Sequence, residues 1–99
     1  MRENLFVYEK SPPYPPYFYL AQIADHCPKA LSTYLDLWRR KDDENKLNIS
    51  KHDIRNEYLK TLTRFKNDCM LLAKECLINV DESPNFLSIE LVGWEDELC

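Results

Sequence analysis

From Asn48 to Val92 the chain reads as two helix-like segments that lead directly into a strand, a polar turn and a second strand, and this order constrains the fold more than any other feature. The hairpin is its sharper half. Leu77-Ile78-Asn79-Val80 and the run Phe86 to Val92 flank Asp81-Glu82-Ser83-Pro84-Asn85, a polar turn containing proline. Alternation puts Leu87, Ile89 and Leu91 on one face and Ser88 and Glu90 on the other, so the hairpin is expected to cover one side of a helical core. Before it, no proline or glycine interrupts residues 50 to 76, and Ile54, Tyr58, Leu62, Phe65, Cys69, Leu72 and Cys76 share one stripe if the segment is a single helix. Ser50, with Asp53 three residues on, is well suited to cap its start. Two alternatives stay open: one long helix, or two helices broken within Leu59 to Thr63, where β-branched threonines favour the helix less and Thr61 or Thr63 can cap a new one.

Upstream, Pro28 suits the first turn of a helix running to about Lys41, whose apolar face is Leu31, Tyr34, Leu35 and Trp38. Leu47-Asn48-Ile49 reads as a short strand ahead of the second helix. Residues 1–20 form a proline- and tyrosine-rich arm. In Ser11-Pro12-Pro13-Tyr14-Pro15-Pro16-Tyr17, each residue before a proline is pushed toward extended geometry. The arm is expected to pack on its own domain or on a partner chain, with Tyr14 and Tyr17 as interface candidates. The domain proper is expected over 21–94, closed by Trp94, with an acidic tail at 95–99.

Composition narrows the function classes. With 44% apolar and 30% charged residues the chain has globular values, and Gly93 is its one glycine, which argues against glycine-rich phosphate loops and flexible linkers. No apolar run approaches the roughly 20 residues that cross a bilayer, and Met1-Arg2-Glu3-Asn4 is not followed by a signal-peptide core, so a cytoplasmic protein without a membrane association is expected. Cys27, Cys69, Cys76 and Cys99 make no C-x-x-C pair, and His26 and His52 lack zinc-finger spacing. Free cysteines follow, with Cys69 and Cys76 as core residues on one helix face. No paired carboxylates, metal cluster or nucleophile constellation emerges, so the expectation is a non-enzyme with no cofactor and no small-molecule substrate.

The net charge of −4 disfavours nucleic acid as a partner, but its distribution is uneven. Residues 45 to 76 hold seven basic and four acidic side chains, whereas residues 77 to 99 hold six acidic and no basic ones. Because salt screens each charge beyond about 10 Å, a local basic face beside an acidic tail can still attract phosphate.

Taken together, Pro28 to Leu35, then Asn48-Ile49-Ser50-Lys51-His52-Asp53-Ile54, then Leu72-Ala73-Lys74-Glu75-Cys76-Leu77-Ile78 resemble the winged helix-turn-helix family, nearest to phage and plasmid replication proteins and small bacterial transcriptional regulators. The resemblance covers residues 28 to 92. Three positions depart from the family's pattern: Cys76 and Leu59 stand where glycine is usual, and Arg55 where alanine is usual. The resemblance implies an α+β, mostly helical fold of three helices plus a C-terminal β-hairpin wing. It makes Thr61 to Cys76 the recognition helix, with Phe65, Cys69 and Leu72 inward and Lys60, Thr63, Arg64 and Asn67 outward, Lys66 flanking. Arginine and asparagine suit base edges, lysine and threonine suit phosphates, and Ser50, Lys51 and Thr61 would join at helix N-termini. The implied function is binding of double-stranded DNA, as a transcriptional regulator or replication accessory, with a homodimer enlarging a small contact. The alternative is a protein interaction module on a winged or helical-hairpin scaffold, using the tyrosine arm with Met70 and Leu71, which lie off the buried stripe.

Overall fold

The computed structural model describes residues 15–92, which form a small α+β fold, mostly helical, with one three-stranded antiparallel sheet. Helix α1 spans Tyr17–His26. It is followed by a single 3-10 turn at Pro28–Ala30 that runs into α2, Leu31–Arg40. Strand β1 is Lys46–Ser50. A second 3-10 turn, Lys51–Asp53, enters the short helix α3, Ile54–Tyr58, and α4 follows over Leu62–Lys74. Strands β2, Ile78–Glu82, and β3, Phe86–Leu91, complete the described chain.

The sequence expectation carries the extended arm through residue 20 and leaves Tyr17 to Leu20 open as a short strand or a helix entry; these residues are helical, the first turn of α1. Proline biases the residue before it away from the helix, and the last such residue in the arm is Pro15, ahead of α1. Tyr19, Ile23 and Cys27, spaced by four, are all buried along one line. Cys27 precedes Pro28 and takes φ −149°, so α1 ends there. Helix α2 matches the expected span, but it buries Thr33, Tyr34, Leu37 and Trp38 while Leu35 is exposed, a rotation of the face assigned from apolar spacing. Ser50 precedes the second 3-10 turn without a side-chain capping bond.

The segment over residues 50 to 76 is two helices. The break falls at Leu59, left-handed at φ 57° and ψ 34°, whose amide donates to the Arg55 carbonyl at 3.0 Å. Thr61 then caps α4, its hydroxyl accepting from the Arg64 amide at 3.2 Å. The far end of α4 closes with a left-handed residue too: Cys76, φ 65°, donates its amide to Ala73 at 3.0 Å, and Leu77 donates to Leu72 at 3.1 Å. This is a Schellman closure, with buried Leu72 and Leu77 as its apolar pair. Cys76 is therefore exposed past the helix and is not a core residue, whereas Cys69 is buried; among the described residues the cysteines are free.

Strand β3 is central, giving the order β1-β3-β2, with Ile49 opposite Leu87 and Val80 opposite Ile89. The hairpin turn is tighter than expected, because Asp81 and Glu82 belong to β2; Ser83 holds it by donating its amide to the Phe86 carbonyl at 2.9 Å. Leu87, Ile89 and Leu91 face the helices as alternation predicts, joining one core with Tyr34, Leu37, Ile54, Phe65 and Leu72. Tyr14, Trp94 and Cys99 lie outside the described residues.

Candidate nucleic-acid interface

The break at Leu59 turns α4 so that one side packs on the core and the opposite side faces outward. Phe65, Asp68, Cys69 and Leu72 are its buried residues, and the phenyl ring of Phe65 meets the Tyr58 ring at 4.7 Å, tying α3 to α4. At 100° per residue the outermost stripe is then Thr63, Asn67, Met70 and Lys74, all exposed. Arg64 and Lys66 flank it on opposite sides. Thr63, Arg64 and Asn67 are thus outward as expected, while Lys74 joins the stripe although charge and motif alone did not single it out.

Lys60 overturns its expected outward position. Its side chain is 15% exposed and turned inward, where Nζ donates to Ser32 Oγ at 2.9 Å and to Thr33 Oγ1, and lies 3.6 Å from Asp68 Oδ2. Thr33 Oγ1 in turn donates to Asp68 Oδ2 at 2.7 Å. Thr33 and Asp68 are fully enclosed, so this cluster satisfies a buried carboxylate with an ammonium and a hydroxyl. Removing one partner of such a pair strands the other charge, which makes Lys60 and Asp68 the fixings that hold α2, the turn and α4 in one arrangement. A signal was present in the sequence: Asp68 lies beside Leu72 on the buried side of the α4 wheel, where an acid requires a partner.

The remaining cations carry acidic neighbours. Arg64 Nε is 3.6 Å from Asp68 Oδ1 with its side chain 56% exposed, leaving most of the guanidinium in solvent. Lys51 and Lys66 both meet Glu82 Oε2, at 2.6 Å and 2.8 Å. Their hydrogen bonds hold the Glu82 carboxyl well below the usual range, at about 2. The sequence spacing places Glu82 in the polar turn; its closeness to the two lysines comes from β2 extending two residues further than that spacing implies. Ser50 ends β1 half-buried opposite Phe86, and Thr61 is occupied as the α4 cap.

The partner-binding candidates divide in a similar way. Met70 is 66% exposed, and Leu71 is half-buried against the core; together with Asn67, Ala73 and Lys74 they line a shallow apolar depression on the outer side of α4. Tyr17 is exposed at the start of α1, on a different element. On the outer face of the sheet Asp81, Ser88 and Asn48 form one row, and Glu90 lies between Lys46 and Asn79 in the next. That face is acidic on balance and poorly suited to phosphate.

Near the C-terminal end of α4, Glu75 accepts from Gln22 Nε2 at 2.8 Å and pairs with His26 Nδ1 at 2.7 Å, joining α1 to α4. Among the described residues no group of histidines, cysteines and carboxylates is placed to hold a metal ion, and no helix is long and apolar enough to cross a membrane. Compared with protein-family models, curated proteins and solved structures, the chain matches none of them.

Proposed function

We propose that the protein binds double-stranded DNA as a winged helix-turn-helix module, laying α4 along the major groove and acting as a transcriptional regulator or replication accessory. The observation that carries this reading is the arrangement of α3, a tight turn at Leu59 and α4, followed by a hairpin whose strand β3 also pairs with β1. That arrangement frees one side of α4 along its whole length beside the β2–β3 turn. Thr63 and Asn67 supply hydroxyl and amide groups for base edges, and Arg64, Lys66 and Lys74 surround them with positive charge. The major groove, about 12 Å wide, admits a helix in this way.

A second reading is favoured by Met70, which stands in the middle of the same stripe: α4 would dock a protein through Met70 and Leu71. The two are separated by fluorescence anisotropy on labelled random-sequence duplex DNA. Across about 50 to 200 mM salt, the DNA reading expects a log–log slope corresponding to roughly three or four released ions. It expects Arg64→Ala with Lys66→Ala to flatten that slope by about two ions. An absence of binding at the lowest salt rejects it in favour of the docking reading.

A further inference from the structure

We infer that Lys51 and Lys66 form a notch for one phosphate of a nucleic-acid backbone, and that Glu82 fills this notch as an internal competitor which the phosphate must displace. The identity of the ligand rests on the DNA-binding reading above; the notch itself rests on geometry.

Two ammonium groups from separate elements, the 3-10 turn before α3 and the middle of α4, converge on a single anionic oxygen, Glu82 Oε2, at 2.6 Å and 2.8 Å. Surface lysines seldom meet in this way, since like charges repel unless an anion lies between them. A phosphodiester offers the same feature, an anionic oxygen able to accept from both. The notch is also built in advance. The Lys51 side chain is only 17% exposed, and its backbone amide donates to the Asn85 carbonyl at 2.9 Å, which fastens the lysine to the hairpin turn. Glu82, by contrast, has a side chain 41% exposed at the last position of β2, so it can leave into water without disturbing the core. Two lysines against one carboxylate leave the notch with one net positive charge, which draws an incoming phosphate. The same lysine bonds keep Glu82 ionised, so the competitor is charged across the neutral range.

The consequence is a muted interface: two cations beside α4 are already occupied, and binding exchanges one carboxylate for one phosphate instead of adding two free contacts. Neutralising Glu82 should unmask them. The test compares the wild type with Glu82→Gln and with Glu90→Gln, an equal charge change on the outer face of the sheet. The first measurement is a titration with inorganic pyrophosphate followed by NMR. Glu82→Gln is expected to give saturable shifts at Lys51 and Lys66 with an apparent Kd about three- to tenfold below the wild type, and Glu90→Gln to stay within about twofold. The second measurement is duplex DNA anisotropy, where Glu82→Gln is expected to gain affinity by a similar factor and to steepen the salt slope by about one ion. If Glu82→Gln responds to pyrophosphate no more than Glu90→Gln, the notch is overturned, whether or not the wild type binds DNA. If Glu82→Gln captures pyrophosphate at both lysines while neither protein binds DNA, the assignment to a nucleic-acid backbone falls together with the major-groove reading.

Discussion

Leu59 and Cys76 occupy the two helix-ending positions where a glycine would be expected, and both take positive φ, 57° and 65°. For an L-residue the left-handed region costs roughly 1–2 kcal/mol, because Cβ crowds the following carbonyl. Neither residue offsets this by burial, since Leu59 is 85% exposed and Cys76 is exposed as well. Leu59→Gly should therefore stabilise the protein by about 0.5–1 kcal/mol, after subtracting the greater freedom glycine gains in the unfolded chain. Leu59→Ala keeps the Cβ and should give no such gain. Urea denaturation of the two variants checks this; a lower midpoint for Leu59→Gly would mean that the exposed leucine makes a contribution larger than its backbone cost. At this scale the sequence was informative in an indirect way. The missing glycines argued for an unbroken helix, yet the chain turns regardless, because Thr61 caps α4 and a straight helix would draw Phe65 away from Tyr58.

Among the elements, legibility followed the strength of the local pattern. The hairpin alternates strictly, and Leu87, Ile89 and Leu91 are buried as the period of two requires. Helix α2 was legible in extent but not in facing, since Thr33 displaces Leu35 from the interior by bonding to Asp68, a partner 35 residues away that no local pattern reveals. Helix α1 was masked by the prolines before it, although Tyr19 and Ile23 carry a helical spacing. Its attachment to α4 depends on pH. The hydrogen bond and charge of Glu75 raise the His26 pKa above 6.5, and His26 and Gln22 together lower that of Glu75. A raised histidine contributes stability that is complete below its unfolded pKa and is lost as pH rises through the folded one; the lowered glutamate contributes above its unfolded pKa and loses its share in acid. The α1–α4 link is thus strongest between about pH 5 and 6. Melting temperature should fall modestly from pH 6 to 8, and His26→Gln should remove that slope. An equal slope in His26→Gln would assign the pH dependence to another group.

Across the molecule, the acidic sheet face and the cationic side of α4 point in different directions, which explains how a chain of net charge −4 can still offer a phosphate-binding edge within a Debye length of about 10 Å. This separation was only half legible. The charge bias along the chain was evident, but its cancellation by Glu82 and Asp68 arises from tertiary contacts. The core has no such division: one cluster runs from Tyr19 and Ile23 on α1 through Phe65 and Leu72 on α4 to Leu91 on β3. Helix α1 is therefore an integral part of the domain, and the molecule should unfold in a single step. Ile23, fully buried, tests this directly. Ile23→Ala should cost about 2–4 kcal/mol, a large share of the roughly 5–15 kcal/mol by which a small domain is stable. Because Ile23 shares its core with both the helices and the sheet, the far-UV circular dichroism and tryptophan fluorescence transitions should move to lower urea together and stay superimposed. An α1 that docked as a separate unit would behave differently: Ile23→Ala would shed part of the helical signal in an early step and leave the fluorescence midpoint where it was. That outcome would confine the cooperative domain to α2 and the elements after it.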